Sequence, residues 1–325
     1  MSTAEDFERA NAWGRSSRAG AWDVWTPTRH RLAEGARWFG DRLHYVDLLA
    51  GDLYRCESTA GAQPRRLLSL PHPLGAVAPV EQPSHDPPVG PGPDRRSTSH
   101  ETPPLIVAAG DGIALASADG DELRWLDRPA QLPGLALRMN DAACDPGGRF
   151  WAGSMEVNAA EGAGSLYRTD PDGSVHEVLD GLTVPNGPAF SADGCTMYLA
   201  DSAAGTIRQH SVNPSTGALG PARPFAEFTA REGRPDGMTV DHQGRLWVAL
   251  WGGSSVRCYR PDGTVATAFR LPVAQPTSIA FGAGRIFVTT AYHRLASPGP
   301  LPGAIFSRPC VAQALPCAAY RPDFS

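Results

Sequence analysis

The sequence predicts an all-β chain folded as a six-bladed β-propeller, and three observations carry that prediction. A turn rich in Gly and Asp followed by a short strand recurs along the chain, the recurrence has the length of one four-stranded blade, and no long helical periodicity competes with it. Four copies are plain: Asp145-Pro-Gly-Gly-Arg-Phe-Trp-Ala-Gly153, Ala192-Asp-Gly-Cys-Thr-Met-Tyr-Leu-Ala-Asp201, Asp241-His-Gln-Gly-Arg-Leu-Trp-Val-Ala249 and Gly282-Ala-Gly-Arg-Ile-Phe-Val-Thr-Thr290. Aligned on Gly148, Gly194, Gly244 and Gly284, they are 46, 50 and 40 residues apart.

A fifth copy, Phe39-Gly-Asp-Arg-Leu-His-Tyr-Val-Asp47, stands 108 residues before Gly148 when aligned on Gly40, which leaves room for one more blade between them. The weak copy Leu105-Ile-Val-Ala-Ala-Gly-Asp-Gly112 fills that room, so blades are expected at Gly40, Gly110, Gly148, Gly194, Gly244 and Gly284. Second hairpins fall between them at Asp170-Pro-Asp-Gly173 and Pro261-Asp-Gly263, where Asp-Gly supplies the positive φ a tight turn needs. The 31 prolines and 35 glycines would interrupt most helices. One propeller domain over 1–325 is expected, broken at about 81–104 by an insertion dense in Pro, Ser, His and charge and without alternating apolar residues.

Composition narrows the function. A net charge of −5 without a basic cluster offers nothing to a phosphate backbone, so no nucleic-acid partner is expected. Acidic residues stand where a secretory signal would place an apolar stretch, and no apolar run is long enough to span a bilayer, so a cytoplasmic protein without membrane contact is expected. The six scattered cysteines form no Cys-x-x-Cys pair and read as reduced thiols, mostly buried. A closed propeller has few free strand edges, which favours a monomer or a weak homo-oligomer.

Propeller sites gather at the channel mouth, from side chains at the start of each innermost strand. Four polar groups sit at such places: Glu34, the run Arg138-Met-Asn140-Asp141, Asn186 and Asp236. Arg138 and Asn140 share a strand face by the two-residue period. Asn186 and Asp236 lie in near-copies fifty residues apart, Pro-Asn-Gly-x-x-Phe and Pro-Asp-Gly-Met-x-Val. Read singly, Glu34 fits a solvated carboxylate and the other groups fit ordinary turns. The shared apolar strand after Asn186 and Asp236 favours equivalent mouth positions. Carboxylate and amide oxygens together form a hard donor set suited to a divalent cation, with room left for water and substrate.

These residues resemble the SMP-30/gluconolactonase family, which includes regucalcin and bacterial sugar-lactone lactonases. The similarity runs from about Arg31 to about Phe306. It is carried most specifically by Arg138-Met-Asn140-Asp141 and Asp145-Pro-Gly-Gly-Arg-Phe-Trp-Ala-Gly-Ser-Met155, with support from Gly164-Ser-Leu-Tyr-Arg168, Asn186-Gly187, Tyr198-Leu-Ala-Asp201-Ser202 and Pro235-Asp-Gly-Met238. The resemblance implies a six-bladed propeller that hydrolyses an aldonolactone such as glucono-, xylono- or arabinonolactone.

It further implies one divalent cation held by Glu34, Asn186 and Asp236. Ca²⁺ is the first expectation, with Zn²⁺, Mn²⁺, Mg²⁺ and Fe²⁺ as alternatives. Substrate contacts are implied at Arg138 and Asn140, and Asn158 stands where relatives carry an acidic contact. Leu32-Ala-Glu-Gly-Ala36 replaces the family's Leu-Gly-Glu-Gly-Pro. Asp236 is the expected proton acceptor, with Asp201 either a rival for that role or a structural group. A non-catalytic cation-binding propeller and a propeller hydrolase of organophosphates or aryl esters are the competing functions. No Gly-x-Ser-x-Gly or His-Glu-x-x-His motif offers another chemistry, and His44 and His242 read as structural.

Overall fold

The computed structural model describes residues 22–57, 59–81, 103–117 and 123–323. Among these residues 24 strands form six four-stranded antiparallel sheets. The innermost strands are Ala33–Phe39, Leu74–Pro79, Leu137–Cys144, Pro185–Phe190, Arg234–Val240 and Pro276–Gly282, and each packs beside the next until the last meets the first. The all-β, six-bladed expectation holds. The described residues contain no helix, and so none long and apolar enough to cross a membrane.

The ring is closed within the sixth blade. Asp23–Thr26 adds as its outermost strand against Ile305–Pro309, so both ends of the fold share one sheet. Apolar side chains collect between sheets, giving six separate cores, one for each pair of adjacent blades. Burial of the sheet faces therefore holds blade to blade and leaves the channel itself free for polar groups.

The repeat seen in the sequence has a direct physical cause. Asp145 accepts the Arg149 backbone N–H at 2.9 Å on Oδ1 and the Trp151 indole N–H at 3.0 Å on Oδ2. Asp241 does the same with Arg245 at 3.0 Å and Trp247 at 2.8 Å, and each carboxylate also accepts the guanidinium of its arginine, Arg149 at 3.2 Å and Arg245 at 2.7 Å. In each turn one buried carboxylate ties the loop to the strand that follows it. The turn glycines Gly148, Gly194 and Gly244 take φ of 87°, 68° and 72°, a region closed to most side chains.

One predicted turn is assigned differently by the structure. Gly40, Gly148, Gly194, Gly244 and Gly284 join the first and second strands of their blades, whereas Gly110 joins the second and third strands of blade two. The equivalent connection in blade two runs from Pro79 to Leu105, where the proline-rich stretch replaces the compact turn. Of the expected insertion at 81–104, residues 82–102 lie outside the described residues.

The chain beyond Pro309 crosses the end of the channel where these turns lie, a feature the sequence does not announce. Its backbone bonds run from Cys310 to Gly284, from Gln313 to His242, from Tyr320 to Pro79 and from Arg321 to Gly148, so it touches four blades. The cysteines are all free; Cys56, Cys144 and Cys258 are buried, Cys310 and Cys317 half-buried, and Cys195 exposed.

The Asp–Trp ties yield a prediction. Asp241→Ala removes the acceptor of a buried indole N–H and of two backbone N–H groups, and should lower unfolding free energy by at least about 2 kcal/mol. Urea unfolding measures this, and a loss under about 0.5 kcal/mol, the range of ordinary surface substitutions, would show that the tie is incidental.

Candidate active site

All six innermost strands lose register with their neighbour at one level. The shift falls between Glu34 and Arg37, Leu74 and Ala76, Met139 and Ala142, Asn186 and Ala189, Pro235 and Met238, and Pro276 and Ser278. A bulge leaves a residue unpaired and turns its side chain. At this level stand Glu34, Asn140 with Asp141, Asn186, Asp236, and Thr277 with Ser278. Blade two contributes Gly75 instead; a Cβ there would lie 1.9 Å from the Asn140 carbonyl oxygen, so only glycine lets blade three approach.

The structure brings Arg138, Asn140 and Asn186 into one hydrogen-bonded chain. Arg138 Nη1 donates to Asn140 Oδ1 at 2.8 Å, and Asn140 Nδ2 donates to Asn186 Oδ1 at 3.0 Å and to the Pro185 carbonyl at 2.8 Å. Asn186 Nδ2 donates to Ser202 Oγ at 2.8 Å, and Ser202 donates to the Pro235 carbonyl, next to Asp236. With its nitrogen turned to Ser202, Asn186 keeps its oxygen as an acceptor on the Asn140 side. Both amide protons of Asn140 are used, which leaves one lone pair of its oxygen for a further partner.

Three carboxylates are buried here, Glu34, Asp141 and Asp236. Burial first, then the charge of Asp236 and of Asp141, pushes Glu34 well above the usual carboxylate range, with Arg138 opposing. Asp236 is raised by burial and by Asp141, against the Gly237 N–H and Arg138. Asp141 is raised by burial despite Arg37 at 3.6 Å and the N–H groups of Ala142 at 2.8 Å and Gly187 at 3.1 Å. Desolvation pulls Arg138 down to about 10, so it stays protonated at neutral pH.

This donor set fits a hard divalent cation. Two carboxylates and an amide oxygen converge where the buried acids, left alone, push each other toward protonation, and a cation would relieve that repulsion. Among the described residues no group of three His, Cys, Asp or Glu side chains is arranged as a metal site; the Asn186 amide would add a third oxygen to those of Glu34 and Asp236.

Other expected residues sit apart from this cluster. Asp201 accepts the backbone N–H groups of Thr183 at 2.9 Å and Val184 at 3.1 Å, fixing the segment that leads to Asn186. Asp47 does the same for Arg31 and Leu32 ahead of Glu34. Both Asp201 oxygens are thus occupied by backbone N–H groups. Asn158 is exposed on the loop after Phe150–Glu156, its backbone and side-chain N–H groups held by Glu156. His44 is buried and stacked on Phe39, its pKa lowered to about 3 by burial, which fits a structural role.

Sequence reasoning passed over Ser202, Thr277 and the roles of Arg37 and Asp141. Thr277 had a legible signal, because Pro276-Thr-Ser-Ile-Ala-Phe281 has the frame of Pro185-Asn-Gly-Pro-Ala-Phe190. A cavity of about 1190 Å³ lies elsewhere, at the far end of the channel between Trp38, Phe190, Phe281 and the C-terminal segment. Its lining lacks Glu34, Asn186 and Asp236, so chemistry rather than volume locates the site.

The raised carboxyls set a sign for pH dependence. An acid whose pKa rises on folding favours the folded state below its unfolded value, here near 4.5 for Glu34, and that contribution is lost as pH climbs through the folded value. Chelator-treated protein should therefore lose stability as pH climbs above about 4.5, and Glu34→Gln should flatten the decline. Denaturant unfolding across that range measures both slopes; equal slopes would contradict the assignment of the repulsion to Glu34.

Comparison with known proteins shows the family. The SMP-30/Gluconolactonase/LRE-like region matches residues 32–292. A pentonolactonase of Haloferax volcanii is 33% identical over 272 residues, 81% of this chain and 83% of that protein. An L-arabinolactonase of Azospirillum brasilense is 32% identical over 283 residues, covering 84% and 85%. The crystal structure of a calcium-binding protein, regucalcin, from Agrobacterium tumefaciens superposes with a TM-score of 0.80 at 26% identity, over 93% of this chain and 98% of that one. By sequence match and by fold, this chain belongs to the SMP-30/gluconolactonase family.

Proposed function

We propose that the protein is a divalent-cation-dependent hydrolase that opens the ester of a sugar lactone to the aldonic acid. The observation that carries this reading is the hydrogen bond from Arg138 to Asn140 and onward to Asn186. A cation serving the fold alone has no use for a guanidinium bonded into its donor set; a bound lactone does. Relatives named as a pentonolactonase and an L-arabinolactonase support the substrate class.

Glu34, Asn186 and Asp236 would hold the cation, with Ca²⁺ the first choice for an all-oxygen set. When bound, it supplies electrophilic assistance at the carbonyl and acidifies a water molecule. Arg138 orients the lactone through guanidinium N–H groups beyond the one that Asn140 and the Met139 carbonyl occupy. The free lone pair of Asn140 accepts a sugar hydroxyl, and Asn158 meets the outer part of the ring from its exposed loop. Asp236 takes the proton of the attacking water as the new C–O bond forms at the acyl carbon. The ring C–O bond then breaks, the leaving oxygen gains a proton, and the product carries one carboxyl and one new hydroxyl group.

The test is acid release in a pH-stat from arabinono-, xylono- and gluconolactone, alongside an aryl ester and an organophosphate. Metal-stripped protein is reconstituted in turn with Ca²⁺, Mn²⁺, Mg²⁺, Zn²⁺ and Fe²⁺. Lactone turnover that needs added cation, and falls at least about a hundredfold in Asp236→Asn, is the expected result. Full turnover in chelator or in Asp236→Asn would overturn the mechanism, and cation binding without hydrolysis of any ester would favour a non-catalytic propeller.

A further inference from the structure

A regular feature of the site is left over by this mechanism. The peptide carbonyl just before each of the three candidate ligands accepts a side-chain hydrogen bond from the blade before it. Thr277 Oγ1 on blade six donates to Ala33 O, ahead of Glu34, at 2.5 Å. Asn140 Nδ2 on blade three donates to Pro185 O, ahead of Asn186, at 2.8 Å. Ser202 Oγ on blade four donates to Pro235 O, ahead of Asp236.

At the same level Leu74 and Pro276 accept no comparable bond among those described, and Met139 O is met only by Arg138 of its own strand. The pattern therefore picks out positions 33, 185 and 235 by hydrogen bonding alone. It agrees with the ligand set reached from the donor chemistry and the family.

From this we infer that Thr277 and Ser202 are positioning residues that tune cation affinity by holding the backbone behind Glu34 and Asp236. The inference rests on the metal reading proposed above. A peptide unit is planar, so fixing its oxygen fixes the plane that leads into the next residue and thereby the direction of that residue's side chain. Each clamp crosses from one blade to the next, so the spacing of three oxygens depends on how blades sit side by side. Thr277 works at the seam between blades six and one. Its oxygen also lies 2.8 Å from Thr289 Oγ1, which limits its own rotation, and both hydroxyls are fully buried. A neighbouring tie has the same logic: the Ala36 N–H donates to Ser278 Oγ at 3.1 Å, so blade six grips blade one on both sides of Glu34.

The experiment is calorimetric titration of Ca²⁺ and Mn²⁺ into chelator-stripped full-length protein, with melting temperatures recorded on the same samples. Thr277→Val and Ser202→Ala are each expected to raise the dissociation constant about tenfold or more, and Thr277→Ser to restore it to within about threefold. Thr290→Val is the control, because Thr290 donates to Ala304 O at 2.6 Å, is equally buried, and holds no carbonyl next to a candidate ligand. It is expected to lower the melting temperature while leaving affinity unchanged. Parent-like affinity in both Thr277→Val and Ser202→Ala overturns the inference, as does an equal loss in Thr290→Val. A parent protein that binds neither ion overturns the metal reading itself, and with it any role of the clamps toward a cation.

Discussion

Glu34, Asp141 and Asp236 are buried together at one mouth of the channel, and the surrounding structure is organised around their mutual repulsion. Like charges in a desolvated site drive one another toward protonation unless cations or N–H dipoles oppose them. Arg37 stands beside Asp141, Arg138 faces Glu34 and Asp236, and backbone N–H groups turned inward at the bulges supply the rest. Two guanidiniums against three acids leave a deficit that a divalent cation would make good. Bulges in all six innermost strands turn the polar groups, and bonds between blades hold them there.

The two ends of the channel do different work. At the far end, Asp145 and Asp241 lock their turns and the segment after Pro309 crosses four blades. Arg37 connects the ends: it lines the far cavity, yet its guanidinium pairs with Asp141 and donates to Ala142 O at 2.5 Å. Rigid turns at one end and polar clamps at the other leave the innermost strands little freedom, and a preorganised charged site needs that restraint.

Much of the fold was legible because it rests on local chemistry that a single strand must carry. Asp145 with Trp151, and Asp241 with Trp247, write the third and fifth blades into short runs of adjacent residues. Asn186 and Asp236 were legible through their shared proline frame, whereas Glu34 lacks that frame and was reached only through the family resemblance. Gly110 misled because blade two lengthens the very turn that marks the other blades. Ser202 and Thr277 were missed because their partners, Pro235 and Ala33, lie 33 and 244 residues away and across a blade boundary. Thr277 shares the proline frame, but nothing near a clamping hydroxyl names the distant carbonyl it reaches, and the path of the C-terminal segment, set by isolated backbone bonds to four blades, leaves no local pattern.

One cation held by Glu34, Asn186 and Asp236 within reach of Arg138 is the arrangement proposed for the channel mouth. Anomalous diffraction from crystals grown with Mn²⁺ would locate it. A single strong peak is expected at the mouth of the channel, within about 2.1–2.6 Å of oxygens from all three side chains. A manganese peak in the far-end cavity, or one that shares none of those oxygens, would contradict it.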